Sequence, residues 1–257
     1  MLLAVDIGNS NVVLGIFQGE ELLTSWRFET DRGRMADEWW ALLTTLAAGD
    51  GIDLRAIEGA VIASGVPQLA TTFQDLITQR LGREPIQVSA ALDLGIRVRT
   101  DNPLEVGADR LANAVAAHHR GPGAWVVVDF GTATTLDVVS PEGDYLGGAI
   151  APGVLIALEA LTARAARLHA VDLAMPERAI GRNTRQAIQS GTVLGYLGLI
   201  EGLLARVAAE LGETPNVIAT GGLAGLFIGH SPAIPAYDPN LTLTGLRLIY
   251  EHLTRGE

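Results

Sequence analysis

The stretch Trp125-Val126-Val127-Val128-Asp129-Phe130-Gly131-Thr132-Ala133-Thr134-Thr135 decides the fold. An apolar run of strand length ends in a carboxylate. One apolar residue and a glycine come next, and small hydroxyl residues lead into a second strand-like run, Leu136-Asp137-Val138-Val139. The same grammar stands near the start of the chain, where Leu2 to Val5 runs into Asp6-Ile7-Gly8-Asn9-Ser10-Asn11 and then Val12-Val13-Leu14-Gly15-Ile16-Phe17. Taken singly, Asp-x-Gly after a strand is an ordinary turn, because Asp and Gly form turns everywhere. Two copies set 123 positions apart in a chain of 257 residues point to a functional duplication.

The segments after the two copies are also alike. Gln18-Gly19 leads to Leu22–Phe28, and Pro141-Glu142-Gly143 leads to Tyr145–Ala151, so each half opens with a three-stranded antiparallel meander. The period then switches. Helices are predicted over Met35–Ala48, Gln68–Leu81 and Gly107–His119, with strands at Ala60–Ala63 and Ile86–Val88 between them. The second half predicts helices over Val154–His169, Asn183–Leu211 and Leu241–Thr254 and a strand at Asn216–Ala219. A meander succeeded by alternating helix and strand implies an α/β lobe with a mixed five-stranded sheet flanked by helices. Two such lobes, 1–120 and 121–257, are expected to face each other across a cleft, with Gly121-Pro122-Gly123 as the link.

Composition removes whole mechanisms. All 18 basic side chains are Arg, and there is neither Lys nor Cys. That excludes a phosphate-loop lysine, Schiff-base chemistry, a thiolate nucleophile, disulfides and thiolate metal sites. A net charge of −11 with dispersed Arg residues argues against nucleic acid as a partner. No uninterrupted apolar run reaches the ~18–20 residues of a membrane span, and Asp6 interrupts any leader core. The expectation is a soluble cytoplasmic protein with no membrane partner.

Small residues in a strand-to-strand turn let backbone amides approach phosphate oxygens, and hydroxyls add donors. Gly8 with Asn9, Ser10 and Asn11 fits this, as does Gly131 with Thr132, Thr134 and Thr135. A carboxylate repels phosphate, so Asp6 and Asp129 make sense there only with a cation between, which implies a nucleotide with Mg²⁺ and makes Asp6 a candidate Mg²⁺ ligand. Thr220-Gly221-Gly222-Leu223-Ala224-Gly225 comes after a strand and is the candidate nucleoside pocket, with a plain helix cap as its other reading. Asp109 heads an apolar-periodic helix, where a catalytic base and a carboxylate that merely complements the helix dipole are equally good readings of the residues alone.

These segments resemble the phosphate-one, phosphate-two and adenosine motifs of the acetate and sugar kinase, heat-shock chaperone and actin superfamily, with its duplicated ribonuclease H-like fold. Asp101-Asn102-Pro103-Leu104-Glu105-Val106-Gly107-Ala108-Asp109-Arg110 resembles the type III pantothenate kinases, as do Gly147–Gly153 and Asn183–Gly191. The resemblance implies ATP-dependent phosphorylation of pantothenate, the first step toward coenzyme A. It implies that Asp109 is the general base, that Thr100, Gly107, Ala108, Arg110 and Thr184 join it in the pantothenate site, and that Asp129 binds the required K⁺ or NH₄⁺. It gives ATP the turn of Asp6, Ile7, Gly8, Asn9, Ser10, Asn11, Val12 and Val13, with Gly131, Thr132, Gly221 and Gly222 from the second half. It further implies a homodimer, with Thr184 offered across the subunit interface. Many relatives carry an aromatic residue where this chain has Thr100, so a hydroxyl replaces ring packing there. Two other functions stay open at this point: a kinase of the superfamily acting on a sugar or small acid, and a non-catalytic regulatory or accessory protein.

Other signals read as structure. His118 and His119 are adjacent and point apart on a helix, with no third ligand at metal spacing. Of Trp39 and Trp40, at least one is expected in the core. Leu194–Leu204 is apolar all round and suits a buried helix or a dimer interface, and the dimer that the resemblance implies favours the interface.

Overall fold

The computed structural model describes residues 1–164 and 171–255. By its contacts the chain forms two units, one of Met1–His119 together with the residues from Asn240 onward, the other of Arg120–Pro239.

The first unit opens with the expected meander, β1 (Leu2–Ile7), β2 (Asn11–Gln18) and β3 (Glu21–Glu29), and continues with α1 (Ala36–Gly49), β4 (Gly59–Ser64), α2 (Pro67–Leu81) and the two-residue β5 (Ile86–Gln87). The strand order is β3-β2-β1-β4-β5. The meander pairs are antiparallel, and the β1–β4 and β4–β5 pairs are parallel. Parallel pairs need helical crossovers, which α1 and α2 supply, and this is why β1 and β4 are buried along nearly their whole length. Local chemistry sets the helix ends. The Glu38 carboxylate accepts from the Met35 N–H at 2.8 Å to start α1, while Pro67 opens α2 and left-handed Gly82 closes it. Trp39 of α1 is 1% exposed and packs between Phe28 and Phe73, so it is the core member of the tryptophan pair. A short strand β6 (Arg97–Val98) then leads to α3 (Ala108–His118).

The second unit repeats the plan. Its meander is β7 (Trp125–Phe130), β8 (Ala133–Val139) and β9 (Asp144–Pro152), and after it come α4 (Val154–Arg164), α5 (Thr184–Gln189), α6 (Gly195–Leu211), β10 (Asn216–Thr220) and β11 (Ala236–Tyr237). The order β11-β10-β7-β8-β9 matches the first sheet strand for strand, with β7 and β10 parallel as β1 and β4 are. This sheet counts six strands, one more than expected. Of the helix expected over Val154–His169, residues 165–169 lie outside the described residues. The helix expected over Asn183–Leu211 is one continuous run in which a π-helical turn, Ser190–Leu194, joins α5 to α6. Thr184–Leu211 is 28 residues long and holds a stretch apolar enough to cross a membrane by length and composition alone. Here Val193, Leu197, Ile200 and Leu204 pack into the core of the second unit.

One assignment differs from the sequence reading. The final helix, α7 (Leu241–Thr254), is placed by chain order with the second lobe, yet it packs on α3, β1 and β4 of the first unit. Its apolar face supplies the cover that β1 and β4 lack from α1 and α2. A Cβ on Gly245 would collide with the Ala112 carbonyl oxygen, so α7 crosses α3 at backbone contact. There the Thr242 hydroxyl donates to Oδ1 of the fully buried Asn113 at 2.8 Å. Gly245→Ala forces these helices apart and is expected to cost about 3 kcal/mol, the upper end for overpacking, read as a lowered urea midpoint. A midpoint unchanged from the parent would show that the crossing tolerates a methyl group.

Candidate active site

Asp6 lies one residue before the end of β1, opposite Val13 of β2 and Ala63 of β4. The turn beyond it is held from several sides. Gly8 N–H donates to the Asn11 carbonyl at 2.9 Å, and Gly65 N–H donates to the Ile7 carbonyl at 2.9 Å. Thr30 contributes twice, its N–H to the Ser10 carbonyl at 3.0 Å and its hydroxyl to the Gly8 carbonyl at 2.7 Å. Asn9, Ser10 and Asn11 remain exposed on a fixed backbone. Ile7 and Val12 are core residues, so what they can offer a ligand is main chain. Thr30 stands outside every motif legible in the sequence. Its signal is topological: β3 returns beside β2 with Glu29 opposite Asn11, so the residue after β3 must arrive at the turn.

The second copy is built alike and carries more. Asp129 faces Thr135 of β8 and Thr220 of β10, and Gly131 N–H donates to the Ala133 carbonyl at 3.0 Å. The β7–β10 register delivers Gly221 directly to Asp129. Gly221 has φ +91°, and a Cβ on it would collide with Asp129 Oδ1 and stand 2.6 Å from the Phe130 backbone. Leu223 N–H donates to the Phe130 carbonyl at 3.2 Å, tying the Gly221-Gly222 segment to the Asp129 turn. The structure therefore joins these two sequence motifs. Behind Asp129 on the same sheet face lies Asp137, a buried carboxylate that accepts from the Tyr145 hydroxyl at 2.7 Å and the Thr135 hydroxyl at 3.1 Å. Those donors stabilise a charge that burial alone would disfavour.

Asp109 stands in the first turn of α3, exposed, with Gly107 as N-cap. Its Oδ1 accepts from the Arg110 N–H at 2.8 Å, and a Cβ on Gly107 would lie 2.5 Å from that oxygen. Residues Leu111–Ala117 behind it are all buried, so the exposed carboxylate sits on a rigid mount. Ala108 is part of that buried packing, and the buried hydroxyl of Thr100 has no hydrogen-bond partner among the described residues. Thr184 opens α5 in the second unit, where Asn183 Oδ1 caps the helix through Gln186 N–H at 2.9 Å. Thr184 lines an open cavity of about 790 Å³ with Ala157, Leu161, Ile188 and Tyr196. The Tyr196 hydroxyl donates to the Pro152 carbonyl at 2.8 Å, and burial pushes its pKa up. His118 and His119 meet edge to face at 6.0 Å, and burial, then the neighbouring His119, hold the His118 pKa below its ordinary value. Among the described residues no group of three or more His, Cys, Asp or Glu side chains could by itself hold a metal ion.

The family model for type III pantothenate kinases matches residues 2–206. A type III pantothenate kinase of Thermomicrobium roseum is 52% identical over 256 residues, covering 100% of this chain and 99% of that protein. Among solved structures, a conserved protein of Campylobacter jejuni assigned to the Baf family of transcriptional activators superposes with a TM-score of 0.62 at 19% identity, over 98% of this chain and 99% of that one. An inorganic polyphosphate/ATP-glucomannokinase from Arthrobacter sp. strain KM superposes with a TM-score of 0.50 at 15% identity, over 100% and 99% of the two chains. These two establish the fold alone.

Gly221→Ala places a methyl group against the Asp129 carboxylate and the Phe130 main chain in a left-handed conformation that Ala adopts at a cost of about 1–2 kcal/mol. The variant is expected to lose adenine-nucleotide binding in calorimetric titration while its far-ultraviolet circular dichroism stays that of the parent. Parental affinity would remove Gly221 from the site.

Proposed function

The chain belongs to the type III pantothenate kinase family, and from that premise we propose how its residues divide the work of phosphorylating pantothenate with ATP. The reaction is the first step of coenzyme A biosynthesis. The observation that carries the proposal is the Asp109 carboxylate, exposed at the head of a buried helix and given room by Gly107.

Phosphoryl transfer is chiefly positioning and charge neutralisation. The turn after Asp6 offers phosphate oxygens its main-chain amides and the Ser10 hydroxyl, the turn after Asp129 offers its own amides and the Thr132 hydroxyl, and the bare Gly221-Gly222 segment of the second unit is given to the nucleoside. ATP brings a divalent cation, which neutralises phosphate charge. The Asp6 carboxylate at the end of β1 is a hard oxygen donor of the kind Mg²⁺ takes, with phosphate oxygens and water completing the shell. Asp129, held in close contact with Gly221 at the end of its strand, is a carboxylate of the kind that binds a monovalent ion, and the K⁺ or NH₄⁺ site is assigned to it. Asp109 accepts the proton of the pantothenate primary hydroxyl as its oxygen bonds to the γ-phosphorus and ADP departs. Arg110 offers an anion partner for the pantothenate carboxylate or a phosphate oxygen. The orphan Thr100 hydroxyl and the Thr184 hydroxyl add hydrogen bonds to the acceptor.

We read the protein as a homodimer with Thr184 serving the partner's site. Leu155, Ile156 and Leu161 of α4 are 44–47% exposed, an apolar face that a second copy would cover. The family relatives are bacterial metabolic enzymes, which supports a cytoplasmic setting.

Asp109→Asn is expected to fold normally and to lose about 10²–10⁴ in kcat, the range for a general base, in a coupled ADP assay. Activity equal to the parent would remove Asp109 from that role. With Mg²⁺ present throughout, turnover is expected in K⁺ or NH₄⁺ and not in Na⁺, and equal rates in all three salts would dismiss the monovalent site at Asp129. Light scattering at micromolar protein is expected to give twice the 27.0 kDa chain mass, and a monomer there would overturn the shared site.

A further inference from the structure

The chain has no lysine, yet the first nucleotide turn has a cation beside it. Arg32 Nη2 donates to Asn9 Oδ1 at 2.9 Å. The loop that carries Arg32 is fixed at both ends. Thr30 binds the turn through its N–H and its hydroxyl, and Asp31 folds the loop back by accepting from Gly33 N–H at 2.9 Å and, through its carbonyl, from Arg34 N–H at 3.3 Å. Glu38 then caps α1 at Met35, so the segment between β3 and α1 has little freedom.

The neighbouring Arg34 is committed elsewhere. Its guanidinium lies 4.7 Å from the centre of the Trp39 ring and 3.9 Å from Asp31. Arg32 is exposed and makes no ion pair among the described residues. A guanidinium carries five N–H donors in a rigid fork, and the bond to Asn9 uses one of them. The amide oxygen of Asn9 is a neutral acceptor. It positions the guanidinium without neutralising it, and a phosphate oxygen is a stronger acceptor for the donors that remain.

We propose that Arg32 is a nucleotide-binding residue of this kinase, held by Asn9 at the first phosphate turn, where its guanidinium engages the polyphosphate chain of ATP in the place a lysine takes in other kinases. The proposal rests on the Asp6 turn being a nucleotide site. It adds a side chain that motif reading does not reach, since Arg32 lies outside the Asp6–Val13 turn in sequence.

The test compares the full-length parent with Arg32→Gln and Arg32→Lys in steady-state kinetics, together with competition by ADP and by adenosine. Arg32→Gln is expected to raise KM for ATP and the inhibition constant of ADP about tenfold or more, the loss of one charged hydrogen bond. The adenosine constant and KM for pantothenate should stay within twofold, and Arg32→Lys should recover part of the loss. KM for ATP within twofold of the parent in Arg32→Gln overturns the proposal. So does an equal weakening of ADP and adenosine, which would mean that Arg32 only supports the shape of the loop. If instead ADP fails to compete with ATP on the parent enzyme, the nucleotide reading of the turn fails, and the proposal with it.

Discussion

Each central strand carries a carboxylate next to its turn, Asp6 in the first unit and Asp129 in the second, and on the proposed reading of these turns as phosphate binders that electrostatic conflict is the constraint on which the rest of each turn depends. Asp6 and Asp129 would repel a triphosphate, and the chain as a whole carries a charge of −11. Charge must therefore be supplied locally and at fixed positions. Main-chain amides do this without mobile side chains, provided that the turns presenting them cannot relax. The clamps seen at both turns answer that need: Thr30 and Gly65 around Gly8–Asn11, and the Gly221 segment around Phe130 and Gly131. Each is a long-range hydrogen bond or close approach that stiffens a short reversal, so the amides lose little entropy when an anion arrives.

The duplication explains why the clamps exist. In both sheets the strand order and direction are the same, and the strand parallel to the Asp-bearing strand ends beside the turn. The first copy presents Gly65 there and the second presents Gly221. The copies have diverged in what they hold. The second has a buried carboxylate, Asp137, under its turn and a glycine pressed on Asp129, while the first has a polar loop returning from β3. One architecture thus provides two unlike turns, and the difference lies in residues one strand away from the shared motif.

The meanders, every long helix and both Asp turns were legible in the sequence, because each is a local pattern: alternation, a period of 3.6, or a turn signature. The assignment of α7 was not. Leu241–Thr254 shows helical periodicity but nothing that says which sheet it covers, and chain order gave the wrong neighbour. The two-residue β11 has no period to read, and the π-helical turn at Ser190–Leu194 leaves the helical pattern of its segment intact. Thr30 and Arg32 were hidden because their role comes from where β3 ends, not from the residues around them. Fold likeness carried less about activity than the motif did. Neighbours with TM-scores of 0.62 and 0.50 carry unrelated names, whereas the string Gly107-Ala108-Asp109-Arg110 pointed to the family directly.

An all-arginine chain also changes how a kinase site can be made. A lysine reaches a phosphate as a flexible point charge and can sit inside the phosphate turn itself. A guanidinium is planar and broad, too large for a tight reversal of Gly, Asn and Ser, and it works best when its plane is set beforehand. Placing the cation on the adjoining loop and setting its plane through a neutral amide satisfies both demands. Asn at position 9 is suited to this in a way Asp is not, since a second carboxylate would pair with the guanidinium and cancel the charge the phosphates require. On the proposed reading the polar residues of the first turn divide two tasks: the backbone of Gly8–Asn11 is left for the anion, and the side chain of Asn9 orients the cation that the turn has no room to contain.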